Sequence, residues 1–216
     1  MTLISYENVP IHETAEPLVD LSLFPFVLEP VYFQTGLSSN PKMYCRKTVA
    51  NKLLRIQGKL EGRLCKIWDA WRPRSVQINI YMKFWNELSK KYPDWNEERL
   101  KKEVSVFVTD PTRSKKIPPH STGGALDLTL VDSAGKELEM GTGFDHFGPE
   151  AAALFYDQRS DSKMIAENRR LLREAMLSED FRFDNDEWWH FDFGNQLWAL
   201  SKGKPSAPYG EKHSVE

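Results

Sequence analysis

An α+β domain, with a central and mainly antiparallel sheet and helices packed around it, is the architecture this sequence predicts. Three observations lead there. Several stretches carry apolar residues at helical spacing, one stretch alternates with period two, and turn signals built from Pro, Gly and Asp separate them. With 216 residues and 40% hydrophobic content the chain holds enough for one sizeable core, so a single domain over 1–216 is the default.

The elements follow in order. The first 44 residues are rich in Pro, Ser and Asn and read as short extended pieces, with 1–30 as a wrapping N-terminal arm. Val49, Leu53, Ile56 and Leu60 fall on one helical face and predict a helix over 46–60, ended near Gly62. Cys65 to Trp71 reads as a strand closed by Arg72-Pro73. Ile78, Tyr81, Trp85 and Leu88 predict a second helix over 75–91. Asp94 followed by Glu97 reads as an N-cap with its capping partner, opening a short helix over 95–105. The proline-rich and basic stretch from Thr109 to Pro119 is a loop that delivers His120. In the next strand Leu126, Leu128 and Leu130 point one way, and Ala125, Asp127 and Thr129 the other. Gly123 and Gly124, just before it, mark backbone that needs unusual torsions. Asp132 to Gly135 is a hairpin turn with Lys136 to Met140 returning, and Ile165, Leu172 and Met176 predict a long helix over 163–178. Phe181 to Phe193 forms one or two closing strands, with Trp188, His190 and Asp192 on one face. Residues 203–216 read as a partly ordered tail.

Composition excludes several function classes. Net charge is −2, from 29 basic and 31 acidic residues that interleave, unlike the basic stripe of a nucleic-acid binder. The apolar run Leu21 to Leu28 is short and broken by Pro25, so no membrane span is expected. Met1 to Glu13 lacks the basic start and apolar stretch of a signal peptide, and the expected compartment is the cytoplasm. Cys45 and Cys65 lie outside any metal-ligand spacing and are expected as buried thiols.

The chemistry concentrates in two segments, Pro119 to Asp127 and Asp186 to His190. Two imidazoles and one carboxylate, His120, His190 and Asp127, suffice to hold a zinc ion and leave its fourth position to water. Glu187 is a spare carboxylate, suited to take a proton from that water. On residues alone, Asp127 has two readings, a metal ligand or a turn carboxylate accepting N–H bonds. His190 equally has a plain reading as a core histidine bonded to a carbonyl. Glu187 and His190 are three apart and would face opposite sides of a regular strand, so the chemistry requires a twist or bulge near Trp188. His12, His146 and His213 read as solvated.

These segments resemble the metal motifs of the D-alanyl-D-alanine dipeptidases, which include the vancomycin-resistance dipeptidases. The family pattern is Ser-x-His-x-x-Gly-x-Ala-x-Asp followed by Glu-x-x-His; this chain has His120, Gly123, Ala125 and Asp127, then Glu187 and His190. Met140-Gly141-Thr142-Gly143-Phe144-Asp145 is similar to the family's Met-Gly-x-x-Phe-Asp, and Asp69-Ala70-Trp71-Arg72-Pro73 to its Asp-x-Tyr-Arg-Pro. Gly203 to Gly210 resembles its ending, so the likeness runs in order over residues 30–210. The resemblance implies the fold shared with D,D-carboxypeptidases and the Hedgehog signalling domain. It implies one Zn2+ per chain on His120, Asp127 and His190, with Glu187 as general base and Arg72 facing the developing oxyanion. Asp145 would attract the substrate's α-amine, and Tyr32 matches an early substrate-contacting tyrosine. Plain alternatives are a salt bridge to Asp69 for Arg72, a turn cap for Asp145 and packing for Tyr32. Where vancomycin-resistance members have Ser, this chain has Pro118, so Ser121 or a backbone N–H is expected to take the substrate carboxylate. The implied reaction is hydrolysis of a small dipeptide, D-alanyl-D-alanine or one like it. The alternatives are a D,D-carboxypeptidase or endolysin acting on peptidoglycan peptides, and a zinc-stabilised binding module without activity.

Overall fold

The computed structural model describes residues 5–108, 110 and 117–215. Most of the loop expected from Thr109 to Pro119 therefore lies outside the described residues. Strands β1 (Leu18–Asp20), β2 (Val27–Leu28) and β3 (Tyr44–Arg46) surround the short helix α1 (Val31–Gln34). Helix α2 (Lys47–Gly58), strand β4 (Leu64–Asp69), and helices α3 (Arg74–Lys91) and α4 (Glu97–Phe107) come next. Strand β5 (Ala125–Val131), helix α5 (Lys163–Leu177), strands β6 (Arg182–Phe183) and β7 (His190–Asp192), and helix α6 (Gln196–Ser201) complete the order.

The sheet has the strand order β2-β4-β5-β7-β6. Only β2 and β4 run parallel; the other pairs are antiparallel. The α+β expectation with a mainly antiparallel sheet therefore holds. Strands β1 and β3 form a separate antiparallel pair.

The leucine row of β5 enters the main core with Leu53 and Ile56 of α2 and Leu172 and Met176 of α5. The opposite face of β5 is buried as well, which forces its Asp127 and Thr129 to be accommodated inside the protein. Helix α3 buries Tyr81 and packs Trp85 and Leu88 as expected, and departs from expectation at Ile78. Val76, Ile80 and Phe84 are buried, whereas Ile78 is 45% exposed. At 100° per residue Ile78 lies far from the Val76–Ile80–Phe84 line, so the stripe that wins is the one meeting α4 and Tyr32. The N-cap of α4 is Asn96, whose side chain accepts from the Arg99 N–H at 2.9 Å, and not Asp94. After the Asp132 to Gly135 turn the chain returns, but only as an isolated bridge from Val131 to Glu137.

The arm and the tail meet each other. Ile11 bridges Ala207, and Tyr209 is buried with its hydroxyl donating to Glu16 at 2.7 Å. Buried Arg46 ties both to the site: it donates to Glu13 at 2.7 Å, to the Gly210 carbonyl at 3.1 Å and to the Thr122 carbonyl at 2.7 Å. The segment from Gly203 to Val215, with its composition of a loose tail, is thus docked through Tyr209 and Gly210. Cys45 and Cys65 are buried, unbridged thiols. No described helix is long and apolar enough to cross a membrane.

Candidate active site

Strand register explains why two of the expected ligands meet. Asp127 of β5 lies directly opposite His190 of β7, and directly opposed residues of an antiparallel pair point to the same face. Asp127 Oδ1 is 2.9 Å from His190 Nδ1. His120 arrives from a 3-10 turn, Pro119–Thr122, and not from open loop. That turn ends on Gly123 in the left-handed region at φ 72°, and a Cβ there would collide with Leu18. Gly124 has a different reason to be glycine, since a Cβ would strike the Phe193 carbonyl. The turn brings His120 Nε2 to 3.2 Å from His190 Nδ1 and 3.3 Å from Asp127 Oδ2.

These spacings fit a metal. Bonds of about 2.0–2.1 Å in a tetrahedral site place neighbouring ligand atoms about 3.3 Å apart. His120, Asp127 and His190 are all buried, and among the described residues they form a set whose ligand atoms lie within 4.8 Å of one another. Each imidazole also has its far nitrogen engaged. His120 Nδ1 is 2.8 Å from the Ala70 carbonyl and 3.0 Å from Asp69 Oδ2. His190 Nε2 is 3.2 Å from Asp192 Oδ1. Such partners select the tautomer and aim the ring, the usual arrangement behind a metal-bound histidine. The facing atoms are therefore Nε2 of His120 and Nδ1 of His190.

Asp69 reaches this face through a bulge. The register of β4 against β5 shifts between Ile67 and Asp69, so that Asp69 stands opposite Asp127. Regular alternation would have sent it to the Ile67 side, into the core. Arg72, one turn later, donates through Nε and Nη2 to Asp69 Oδ2 at 2.8 and 2.6 Å, and through Nη1 to Gln77 at 2.8 Å. Its Nη2 is 3.6 Å from Asp127 Oδ2. The salt bridge to Asp69 and a position on the cavity are thus both true of Arg72.

The required break in the last strand is present. Trp188 and Trp189 form a turn, and the His190 N–H donates to the Glu187 carbonyl at 3.3 Å. This brings Glu187 Oε2 to 3.9 Å from His190 Nδ1. Tyr32, Arg72, His120, Asp127, Asp145, Glu187 and His190 line one cavity of about 160 Å3. That is smaller than the roughly 300–1,000 Å3 of pockets for drug-sized ligands.

Asp145 sits on a loop with φ 58°. The Tyr32 hydroxyl donates to it, 3.2 and 3.1 Å from its two carboxylate oxygens. Arg169 pins the surrounding chain by donating to the carbonyls of Met140, Ala152 and Glu150 at 2.7–2.9 Å. Ser121 does not fit its expected role. It is fully buried, does not line the cavity, and donates to the Arg72 carbonyl at 2.9 Å. The reason is local: in the tight turn after Pro119, His120 faces the site and the next side chain turns toward the Arg72 backbone.

Burial and charge set the ionisation of the site. Burial disfavours the Asp127 carboxylate, but His120 and His190 outweigh this and hold it well below the usual range. Burial likewise opposes charge on His190, yet Asp192 and Asp127 hold it strongly raised. Burial, reinforced by Asp127, pushes Asp145 up to about 6. Burial pushes Glu187 up to about 8, with His190 opposing and Asp127 adding.

Compared with known proteins, residues 39–209 match the family model described as D-ala-D-ala dipeptidase, peptidase family M15. The chain belongs to this family. A D-alanyl-D-alanine dipeptidase of Synechocystis sp. is 30% identical, over 62% of this chain and 60% of its own. One from Escherichia coli is 31% identical, over 62% of this chain and 57% of its own. The chain thus spans about three fifths of the length of the relatives it matches. Among solved structures, the vancomycin resistance D,D-pentapeptidase VanY of a VanB-type cassette, in complex with Zn(II), is 15% identical. It is covered over 92% of this chain and 96% of its own, with a TM-score of 0.46. Within this D-ala-D-ala dipeptidase family member, every cavity residue named above except Tyr32 falls inside the matched span.

Sequence reasoning gave no role to Gln77, Arg169, Arg182 or Asp192, and named Asp69 only as Arg72's salt-bridge partner, which it is. Asp192 had a signal, since it shares a strand face with His190 two residues away. Asp69 had one in the Asp69 to Pro73 motif, but its approach to His120 depends on the bulge.

Proposed function

We propose that this protein is a zinc metallopeptidase that hydrolyses a free dipeptide, D-alanyl-D-alanine or a close analogue. The observation that carries the reading is the convergence of Glu187 and Arg72 on the His120, Asp127 and His190 set. A zinc-stabilised binding module needs neither group, and a structural zinc site fills its fourth position with protein. His120 Nε2, Asp127 and His190 Nδ1 would hold the zinc, which when bound would lower the pKa of water to about 7. Glu187 accepts a proton from the attacking water and passes it to the leaving amine. Arg72, fixed by Asp69 and Gln77, presents its guanidinium to the carbonyl oxygen as charge develops there. Asp145, oriented by Tyr32, pairs with the free α-ammonium and so measures the distance from the substrate's N-terminus to the scissile bond. Family membership and the dipeptidase names of the relatives support the substrate class.

The test is a hydrolysis panel on zinc-loaded protein: D,D and L,L dipeptides, N-acetylated dipeptides and a pentapeptide ending in D-Ala-D-Ala. Fast cleavage confined to free D,D-dipeptides is expected. Release of terminal D-Ala from the pentapeptide at a higher rate would replace this reading with a carboxypeptidase.

A further inference from the structure

We propose that Arg182 is a positioning residue that sets His190 and Glu187 relative to each other. The inference rests on the reading above, in which the first holds zinc and the second moves a proton. Arg182 of β6 stands directly opposite Asp192 of β7. Its Nη1 donates to Asp192 Oδ2 at 2.6 Å. The other oxygen of Asp192, which is fully buried, accepts from Asn195 Nδ2 at 2.6 Å and faces His190 Nε2 at 3.2 Å. One arm of the guanidinium therefore steadies the carboxylate that aims the metal-facing imidazole.

The second arm goes to the base. Arg182 Nη2 donates to Asp184 Oδ2 at 2.9 Å. The remaining oxygen of Asp184 accepts from the Asp186 N–H at 2.9 Å, which anchors the turn carrying Glu187. Asp184 and Asp186 line the cavity beside Glu187. The Asp184 N–H also donates to the His190 carbonyl at 3.0 Å. One rigid planar fork thus spans the carboxylate behind the metal ligand and the carboxylate under the base. A lysine ammonium is a point donor on a flexible stem and does not reproduce that fixed spacing. Arg182 touches neither the metal-facing atoms nor the cavity centre, so it acts through Asp192 and Asp184.

The experiment compares wild type, Arg182→Met, Arg182→Lys and Asp184→Asn. Zinc affinity is measured by competition with a chromophoric chelator, the visible spectrum is recorded after cobalt(II) substitution, and kcat and KM are measured for D-alanyl-D-alanine at saturating zinc. Arg182→Met should bind zinc about 10–100-fold more weakly, shift the cobalt bands, and lower kcat with a smaller change in KM. Arg182→Lys should recover only part of this. Asp184→Asn should lower kcat while keeping most of the zinc affinity, because it releases only the arm under Glu187. Arg55→Met, which removes a 2.9 Å ion pair to Glu179, is the control and should leave zinc affinity and the cobalt spectrum unchanged. Should Arg182→Met not fold, the lysine and Asp184 variants decide. Wild-type zinc affinity, cobalt spectrum and kcat in both of those would overturn the inference while leaving the zinc reading intact. A wild-type protein that takes up no zinc would overturn both.

Discussion

Each side chain of the His120, Asp127 and His190 set is backed by a second buried group, whereas Asp145 across the same cavity rests on a loop and one phenol. His120 leans on Asp69 and the Ala70 carbonyl, Asp127 has Arg72 at 3.6 Å, and His190 leans on Asp192. Two of these three side chains sit on paired strands, and the third on a turn tied to the sheet through Arg72 and Arg46. Asp145 takes a positive φ, is clamped by Tyr32, and depends on Arg169 gripping the carbonyls around it. Groups carried by strands are held more closely than groups carried by loops. On the proposed function this is a division of labour: the chemistry would rest on the sheet, and substrate choice on the loop that carries Asp145.

The sharpest way to break this comparison is to remove a ligand. His190→Ala and Asp127→Ala should lose zinc from about one per chain and lose turnover with it, as elemental analysis after dialysis and dipeptide assays will show. Full zinc retention in both would put the metal elsewhere. Next in size is Glu187→Gln, which should keep its zinc and fold while kcat falls on the order of a hundredfold or more. Near-normal turnover would mean that another group is the base. Arg72→Lys should cost about 3 kcal/mol of transition-state stabilisation, because lysine cannot keep both the Asp69 and Gln77 contacts while facing the carbonyl. A lysine variant with wild-type kcat would leave Arg72 as an ion-pair residue only.

On the loop-held side the effects should be smaller and should fall on specificity. Asp145→Ala should narrow the preference for free over N-acetylated dipeptide by about 1.5–3 kcal/mol, the range for a hydrogen bond to a charged group. Because burial and Asp127 push Asp145 up to about 6, the same preference in the wild type should fade as pH falls through that value. The carboxylate is protonated there and no longer attracts an ammonium. A pH-independent preference would separate Asp145 from the amine. Smallest of all, Tyr32→Phe should raise KM by about 1 kcal/mol equivalent with kcat little changed. A fall in kcat instead would place Tyr32 in the chemistry.

Much of the site was legible before folding because its signals are local. The spacing of His120 to Asp127, the alternation through Leu126, Leu128 and Leu130, and the joined carboxylate and imidazole of Glu187 and His190 are short-range patterns. Helices α2, α3 and α5 were readable for the same reason, although the stripe of α3 was misplaced at Ile78. The rest of that stripe, Tyr81, Trp85 and Leu88, packs with α4 and Tyr32 as expected, joined by Val76, Ile80 and Phe84.

Parity and register belong to the tertiary structure. Counting along the chain puts Asp69 on the core face of β4 and Glu187 opposite His190. A bulge at Trp68 and a turn through Trp188 and Trp189 reverse both assignments. Neither departure has a local signature, since each exists because neighbouring strands and the Trp68, Phe144 and Trp188 rings pack where they do. Ser121 entered through the resemblance, because Pro118 stands where the family has Ser, and the 3-10 turn directs its hydroxyl to the Arg72 carbonyl instead. Arg182 and Arg169 belong to no motif that singles them out in the sequence. Arg182 reaches Asp192 across the paired strands β6 and β7, and Arg169, on a helix packed against a loop, reaches carbonyls 17–29 residues away. Residue types and their spacing left Asp127 and His190 between metal ligand and plain structural roles, and the resemblance to a known family supplied the chemistry expected of them. Which atoms face one another, and how firmly they are held, follows only from long-range pairing of segments that the chain itself keeps far apart.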